Sequence, residues 1–195
     1  MDSLKKIYLF VSALPVVIIF LIIMIVMMVI NASNENVPDV PLASVDGFSV
    51  PFNSDVKYIV TSDFGMRIDP ISHEQSLHSG IDLSAPAGTD IVASASGKVH
   101  RISLNKDSLG NYVELEHVVD GVTYYTGYGH MSNDSIVVQE GQEVKAKQKL
   151  GVIGMTGRAT GIHVHFSLMS PKPIFNLDNL KDPRYIIDAD LKSKS

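Results

Sequence analysis

The chain changes its pattern of polarity near residue 30. Residues 7–30 carry no charged side chain, and a helix of that length rises about 36 Å, enough for a ~30 Å hydrocarbon core. The pattern predicts one transmembrane helix over 7–30, preceded by a six-residue N-terminal segment, 1–6. Lys5 and Lys6 stand directly before it, so the positive-inside rule puts residues 1–6 in the cytoplasm and the rest of the chain on the extracellular or periplasmic side. A cleaved signal peptide is the rival reading, but its apolar stretch usually runs only about 7 to 15 residues, and Ile30-Asn31-Ala32 is a poor small-x-small cleavage site. Residues 31–50 lack periodicity and carry Pro38, Pro41 and Gly47, which reads as an extended linker.

From residue 51 onward, short runs of Val, Ile, Tyr and Thr alternate with turn residues. All 14 glycines fall between Gly47 and Gly161, the punctuation of short strands joined by tight turns. Strands are predicted over 57–61, 90–93, 98–104, 112–117, 122–129, 143–145 and 163–169. Around the last, Ile162, Val164, Phe166 and Leu168 point one way and His163, His165 and Ser167 the other, which predicts a core face and a working face. The expectation is an all-β domain over 51–187, a sandwich or barrel, with 188–195 as a tail.

Composition narrows the chemistry. Cysteine is absent, so there is no disulfide framework, and any metal must be held by His, Asp or Glu. The formal net charge is -5. It becomes -6 for the exterior part once Asp2, Lys5 and Lys6 are set aside, which argues against a nucleic-acid partner.

Four of the seven histidines lie in segments that look chemical: His78 in LHSGIDL, His130 in YGH, and His163 with His165 in GIHVHFS. Two residues apart on a strand, His163 and His165 share a face with Cα atoms about 6.6 Å apart. An isolated pair of this kind is more often just the polar face of a strand. His78 and Asp82 would be roughly 13 Å apart on a straight strand, so the backbone must bend between them, and Gly80 can supply the bend. Two His and one carboxylate with an open position form a catalytic metal set, which His78, Asp82 and one of the strand histidines would complete. Tyr124, Tyr128 and His130 share strand parity, which predicts a tyrosine and an imidazole projecting together. His73, His100 and His117 read as surface or packing residues.

The segments SDFGMRIDP, LHSGIDLSAPAGTDIVASASGKV, GNYVELEHVVDGVTYYTGYGHMS, VQEGQEVKAKQKLGVIGMTG and RATGIHVHFSLM resemble, in order, the lysostaphin and LytM-like zinc metallopeptidases that cut peptidoglycan peptides. The resemblance runs from about residue 62 to 169. It implies a barrel-sandwich hybrid fold, the duplicated hybrid motif, with zinc held by His78, Asp82 and His165, and His130 and His163 as catalytic histidines outside the ligand set. The implied activity is hydrolysis of a cross-bridge or stem-peptide bond of peptidoglycan by a metal-activated water, with the order of roles between His130 and His163 open. The competing class is a non-catalytic wall-binding or partner-activating module. A third expectation, compatible with activity, places the chain in an envelope secretion or conjugation machine. The segment VQEGQEVKAKQKLGVIG is also similar to the hammerhead turn of biotinyl and lipoyl carriers, which have no use for the His and Asp set.

Overall fold

A computed structural model of the chain describes Met24 and residues 47–105 and 108–193. The membrane segment expected over 7–30, Met24 apart, and most of the linker lie outside the described residues. Among the described residues no helix is long and apolar enough to cross a membrane. The chain divides into two units, Met1–Pro41 and Leu42–Ser195, and the second carries the fold described below.

Among the described residues twelve strands form: β1 (Ile59–Ser62), β2 (Gly65–Ile68), β3 (Gln75–His78), β4 (Ile81–Ser84), β5 (Asp90–Val92), β6 (Gly97–Leu104), β7 (Asn111–Val119), β8 (Val122–Met131), β9 (Glu143–Val144), β10 (Lys149–Val152), β11 (Val164–Met169) and β12 (Leu180–Lys181). Eight belong to one antiparallel sheet in the order β1-β4-β11-β8-β7-β6-β9, with β12 paired to β11. The β5/β10 and β2/β3 pairs are separate two-stranded sheets. Among the described residues of the second unit, helix α1 (Arg184–Ser193) follows the last strand.

The predominantly β character follows from period-two burial. Val164, Phe166 and Leu168 of β11 enter the main core with Ile81 and Leu83 of β4 and Val113 and Leu115 of β7, as expected for strands packing one face inward. The other face of β11 departs from the expected working surface, for His165, Ser167 and Met169 are buried as well. Met169 joins a second small core with Tyr125 and Leu180, against which Phe64 and Leu77 pack. The segment after β11 turns back so that this face is covered along much of its length.

Helix α1 extends through residues 188–193, which the sequence pattern read as a tail, and buries Ile186 and Ile187 in the main core. Its start has a local cause. The Asp182 carboxylate accepts the Arg184 N–H at 2.9 Å, and Pro183 intervenes with its ring-fixed φ, a helix-initiating arrangement.

His117 is a packing residue, in line with its reading from the sequence, and it ends a buried polar chain. Its Nδ1 faces the Ser96 carbonyl at 2.9 Å and its Nε2 the Thr126 hydroxyl at 2.8 Å. Thr126 Oγ1 lies 2.8 Å from the Tyr128 hydroxyl, which accepts the Ser94 N–H at 2.9 Å. The Ser96 carbonyl requires Nδ1 to donate, so a neutral ring accepts from Thr126 and every proton in the chain has a place. Gly97 is needed beside it, because a Cβ there would come within 2.6 Å of His117 Nδ1.

Burial pushes the His117 pKa down, against the Ser96 hydrogen bond and the nearby Glu116 charge, which push it up. The Phe48 ring also packs edge-on against it. A histidine depressed in the folded state leaves stability intact above the unfolded pKa of about 6.5. That stability is lost as pH falls through the folded value, because only the unfolded chain takes up the proton. The thermal midpoint is therefore expected to drop between pH 7.5 and 5, and His117→Gln should show a shallower drop. Calorimetry of both proteins across that range checks this, and identical slopes would contradict the assignment.

Candidate metal centre and active site

The site is assembled where β3 gives way to β4. His78 ends β3, Ser79 and Gly80 turn the chain, and Asp82 is the second residue of β4. The bend is where the sequence placed it, but its physical reason differs. Gly80 is not in the left-handed region; it is required by space, since a Cβ would lie 2.4 Å from the Phe166 carbonyl oxygen and 2.7 Å from His165 Nε2. Asp82 and His165 are direct cross-strand partners, and His165 pairs in turn with Gly129 of β8. The sheet register therefore sets two of the three side chains side by side.

His78 Nε2, Asp82 Oδ1 and His165 Nδ1 form a nearly equilateral triangle, with separations of 3.0, 3.1 and 3.1 Å. All three residues are buried. Each imidazole is oriented through its other nitrogen: His78 Nδ1 donates to the Asp63 carbonyl at 2.6 Å, and His165 Nε2 lies 3.3 Å from Ser79 Oγ. These outer contacts leave two imidazole lone pairs and a carboxylate oxygen converging on one point. Such an arrangement repels itself unless a cation or proton lies between the atoms. Four donors around a tetrahedral ion at bond lengths of about 2.0–2.2 Å are separated by roughly 3.3–3.6 Å, close to the edges seen here. The three residues could hold a metal ion, and their chemistry fits one.

The electrostatics agree. Burial alone would raise the Asp82 pKa, but its close contacts with the His165 and His78 rings outweigh it and hold the carboxyl well below the usual range. Burial pushes His165 down, with Asp82 partly opposing. Carboxylate and neutral imidazole are the forms that coordinate a cation.

His130 and His163 stand beside the triangle, their rings 4.6 Å apart. Nδ1 of His130 donates to the Thr156 carbonyl at 2.7 Å, and Nδ1 of His163 to that of Gly161 at 2.9 Å. In neutral rings, both Nε2 atoms are thereby left as proton acceptors. His163 Nε2 lies 3.6 Å from Asp82 Oδ1. Burial pushes the His130 pKa down to about 4, with the Thr156 hydrogen bond opposing, so this ring is neutral at pH 7.

The structure thus brings together all five residues singled out in the sequence: His78, Asp82, His130, His163 and His165. Tyr128 does not join them. Its hydroxyl is bound to Thr126 and Ser94, and it packs in the core with Met131, three residues on. The cause is a register shift opposite Asn111 and Val113, together with a left-handed His130 at φ 60°, which swings His130 to the face of Gly129. Strict alternation fails at such a bulge. His73 is exposed, and His100 lies near Glu114 and Glu116 at 3.9 and 3.6 Å.

A cavity of about 630 Å³ opens over the triangle, lined also by Arg67, Asp69, Ile71, Ser108, Leu109 and Arg158 among others. Arg158 donates to Asp69 at 2.9 Å across it. Arg67, on β2, was not singled out in the sequence. Its signal was only its place within SDFGMRIDP.

Residues 76–177, just over half of the chain, match the model of Peptidase family M23. The chain belongs to this metallopeptidase family. It is 38% identical over 116 residues to the peptidoglycan DD-endopeptidase ShyA of Vibrio cholerae, covering 59% of this chain and 26% of that protein. Among solved structures it is similar to a variant of the catalytic domain of the prophage-encoded M23 protein EnpA of Enterococcus faecalis, with 33% identity, a TM-score of 0.56, and coverage of 70% of this chain and 95% of that one. The catalytic domain of lysostaphin from Staphylococcus simulans matches with 29% identity and a TM-score of 0.56, over 68% of this chain and 92% of that one. The chain spans roughly a quarter to two fifths of the length of the curated relatives it matches.

Direct loss of a ligand should exceed the roughly 10- to 100-fold cost of losing an outer partner. His165→Ala is therefore expected to weaken divalent-metal binding more than about 100-fold, and His130→Ala to leave it within a few-fold. Equilibrium dialysis with zinc checks both, and equal behaviour of the two variants would contradict the division of roles.

Proposed function

We propose that this chain is a zinc-dependent endopeptidase that hydrolyses peptide bonds in peptidoglycan. The observation that carries the reading is the convergence of His78 Nε2, Asp82 Oδ1 and His165 Nδ1 beside two imidazoles that line a cavity. Membership of Peptidase family M23 and the likeness to a peptidoglycan DD-endopeptidase support the substrate class.

His78, Asp82 and His165 would hold zinc, which would supply Lewis-acid chemistry for acidifying a water and polarising a carbonyl. His130, kept neutral by burial, takes a proton at Nε2 as the water oxygen attacks the scissile carbonyl carbon. His163, which lines the same space, is the second imidazole beside the developing oxyanion. The proton taken up is returned to the leaving nitrogen as the C–N bond breaks. The backbone carbonyls of Thr156 and Gly161 hold the two rings at fixed tilt throughout, so little reorganisation is needed at the moment of reaction.

Residues 7–30 anchor the chain in the cell membrane as a single pass, with the peptidase domain outside the cytoplasm. Local wall opening for an envelope secretion or conjugation machine is the setting that this short tether suits.

The test is mass analysis of muropeptides released from purified sacculi by the full chain with zinc. New peptide-cleaved products are expected, with a loss of at least about 1,000-fold in rate after chelation and recovery on zinc return. Undiminished release by verified metal-free protein would overturn the assignment. Protease treatment of spheroplasts expressing the chain should digest the domain from outside, and complete protection would overturn the topology.

A further inference from the structure

Among the described residues, Arg67 is the strong cation nearest the metal triangle, 3.9 Å from Asp82. It lies on β2, opposite Ser76 of β3, and its side chain lines the cavity while only 29% exposed. Its Nη2 lies 3.9 Å from Asp82 Oδ2, beyond hydrogen-bond reach, and its Nε is buried with no acceptor. A guanidinium carries five donors, and leaving them unmet in a half-buried place is costly. Asp82 Oδ2 faces it only at ion-pair distance, 3.9 Å, while Asp82 Oδ1 is turned to His78 and His165. Arg158, on the opposite rim, contrasts with it, being bound to Asp69. Arg67 thus lines the cavity beside Asp82 with a planar donor set of the kind that matches a carboxylate.

We infer that Arg67 binds the free carboxylate on the carbon that bears the scissile nitrogen of the substrate. The inference rests on the peptidase reading above and deepens it. The distance selects this carboxylate, since a group reaching Arg67 from a bond held at the triangle must come from a residue adjacent to that bond. The chemistry agrees: when both residues at a stem-peptide bond are D-configured, the amine-side residue carries a carboxylate on that carbon. A glycine bridge carries none there. Arg67 therefore selects stem-peptide bonds over glycine bridges.

The test compares the full zinc-loaded chain with Arg67→Met and Arg67→Lys. Three peptide substrates are used: a cross-linked stem dimer with the carboxylate free, the same dimer with that group amidated, and pentaglycine. The native protein is expected to favour the free acid over the amide at least tenfold in kcat/KM and to cut pentaglycine least. Arg67→Met should cut acid and amide within twofold of each other, with zinc content and thermal midpoint unchanged, and Arg67→Lys should keep part of the preference. Equal rates on acid and amide by the native protein, or a preference that survives Arg67→Met, would overturn the proposal.

Binding is read separately, by NMR titration with the amine-side product as its free acid and its amide. A preference for the acid that vanishes in Arg67→Met supports the carboxylate site even if no substrate is cut, an outcome that would instead sink the peptidase reading. Equal binding of acid and amide would overturn it. If Arg67→Met unfolds, Arg67→Lys decides by the same comparison.

Discussion

Two imidazole lone pairs and a carboxylate oxygen are held within 3.1 Å of one another in a buried place, and the rest of the structure depends on keeping them there. Nothing in the side chains favours such proximity in water. It is imposed by the pairing of β4 with β11, which makes Asp82 and His165 neighbours, and by a turn at Gly80 too tight for any side chain. The opposing effects are large: burial disfavours the carboxylate, and His165 and His78 restore it. A site of this kind is stable as a unit, and losing one member strands the others.

The same sheet face shows how the protein confines this chemistry. Next to His165 along β11, Ser167 is fully buried, and the Tyr112 hydroxyl donates to Glu114 at 2.7 Å beneath it. Gly127 leaves room for both, since a Cβ there would meet Ser167 Oγ and the Tyr112 hydroxyl at 2.4 Å. Burial pushes the Glu114 pKa up, with Tyr112 and Arg101 opposing. Phe175, from the segment following β11, stacks near Tyr112 at 6.3 Å between ring centres. This stretch of polar surface is sealed around the Tyr112–Glu114 hydrogen bond, whereas the stretch at His165 opens to a cavity. The difference between a structural network and a reactive one lies in what covers it.

The cavity rim is built from loops whose conformations are locally secured. The Asp69 carboxylate accepts the N–H groups of Ile71 and Ser72 at 2.9 and 2.8 Å, which shapes the β2–β3 turn, and reaches Arg158 across the opening. Those backbone hydrogen bonds hold the Asp69 carboxyl below its ordinary pKa. One exposed ion pair adds little to stability, so its worth is positional: it keeps two rim loops at a set distance over the triangle.

Much of this was legible in the residues. The longer strands, β6, β7, β8 and β11, lie within two residues of their expected ends, because hydrophobic periodicity and turn glycines are local signals. The five chemical side chains were legible too, since imidazoles with glycine turns at those spacings have few other uses. By contrast, β2, β3 and β4 were not read as strands, because the residues that build the site replace the alternation that would announce them. Helix α1 was missed because only Ile186 and Ile187 mark its buried face. Sequence alone determined which groups could meet an ion and which stretches would be β, for both follow from residue type and local period. Only tertiary structure decided that Tyr128 belongs to the core while His130 faces the cavity, that Gly80 is required by space rather than by φ, and that Arg67 Nε is buried without an acceptor beside Asp82. Each of those depends on which backbone passes within a few ångströms of another, and register and bulges set that between segments far apart in the chain.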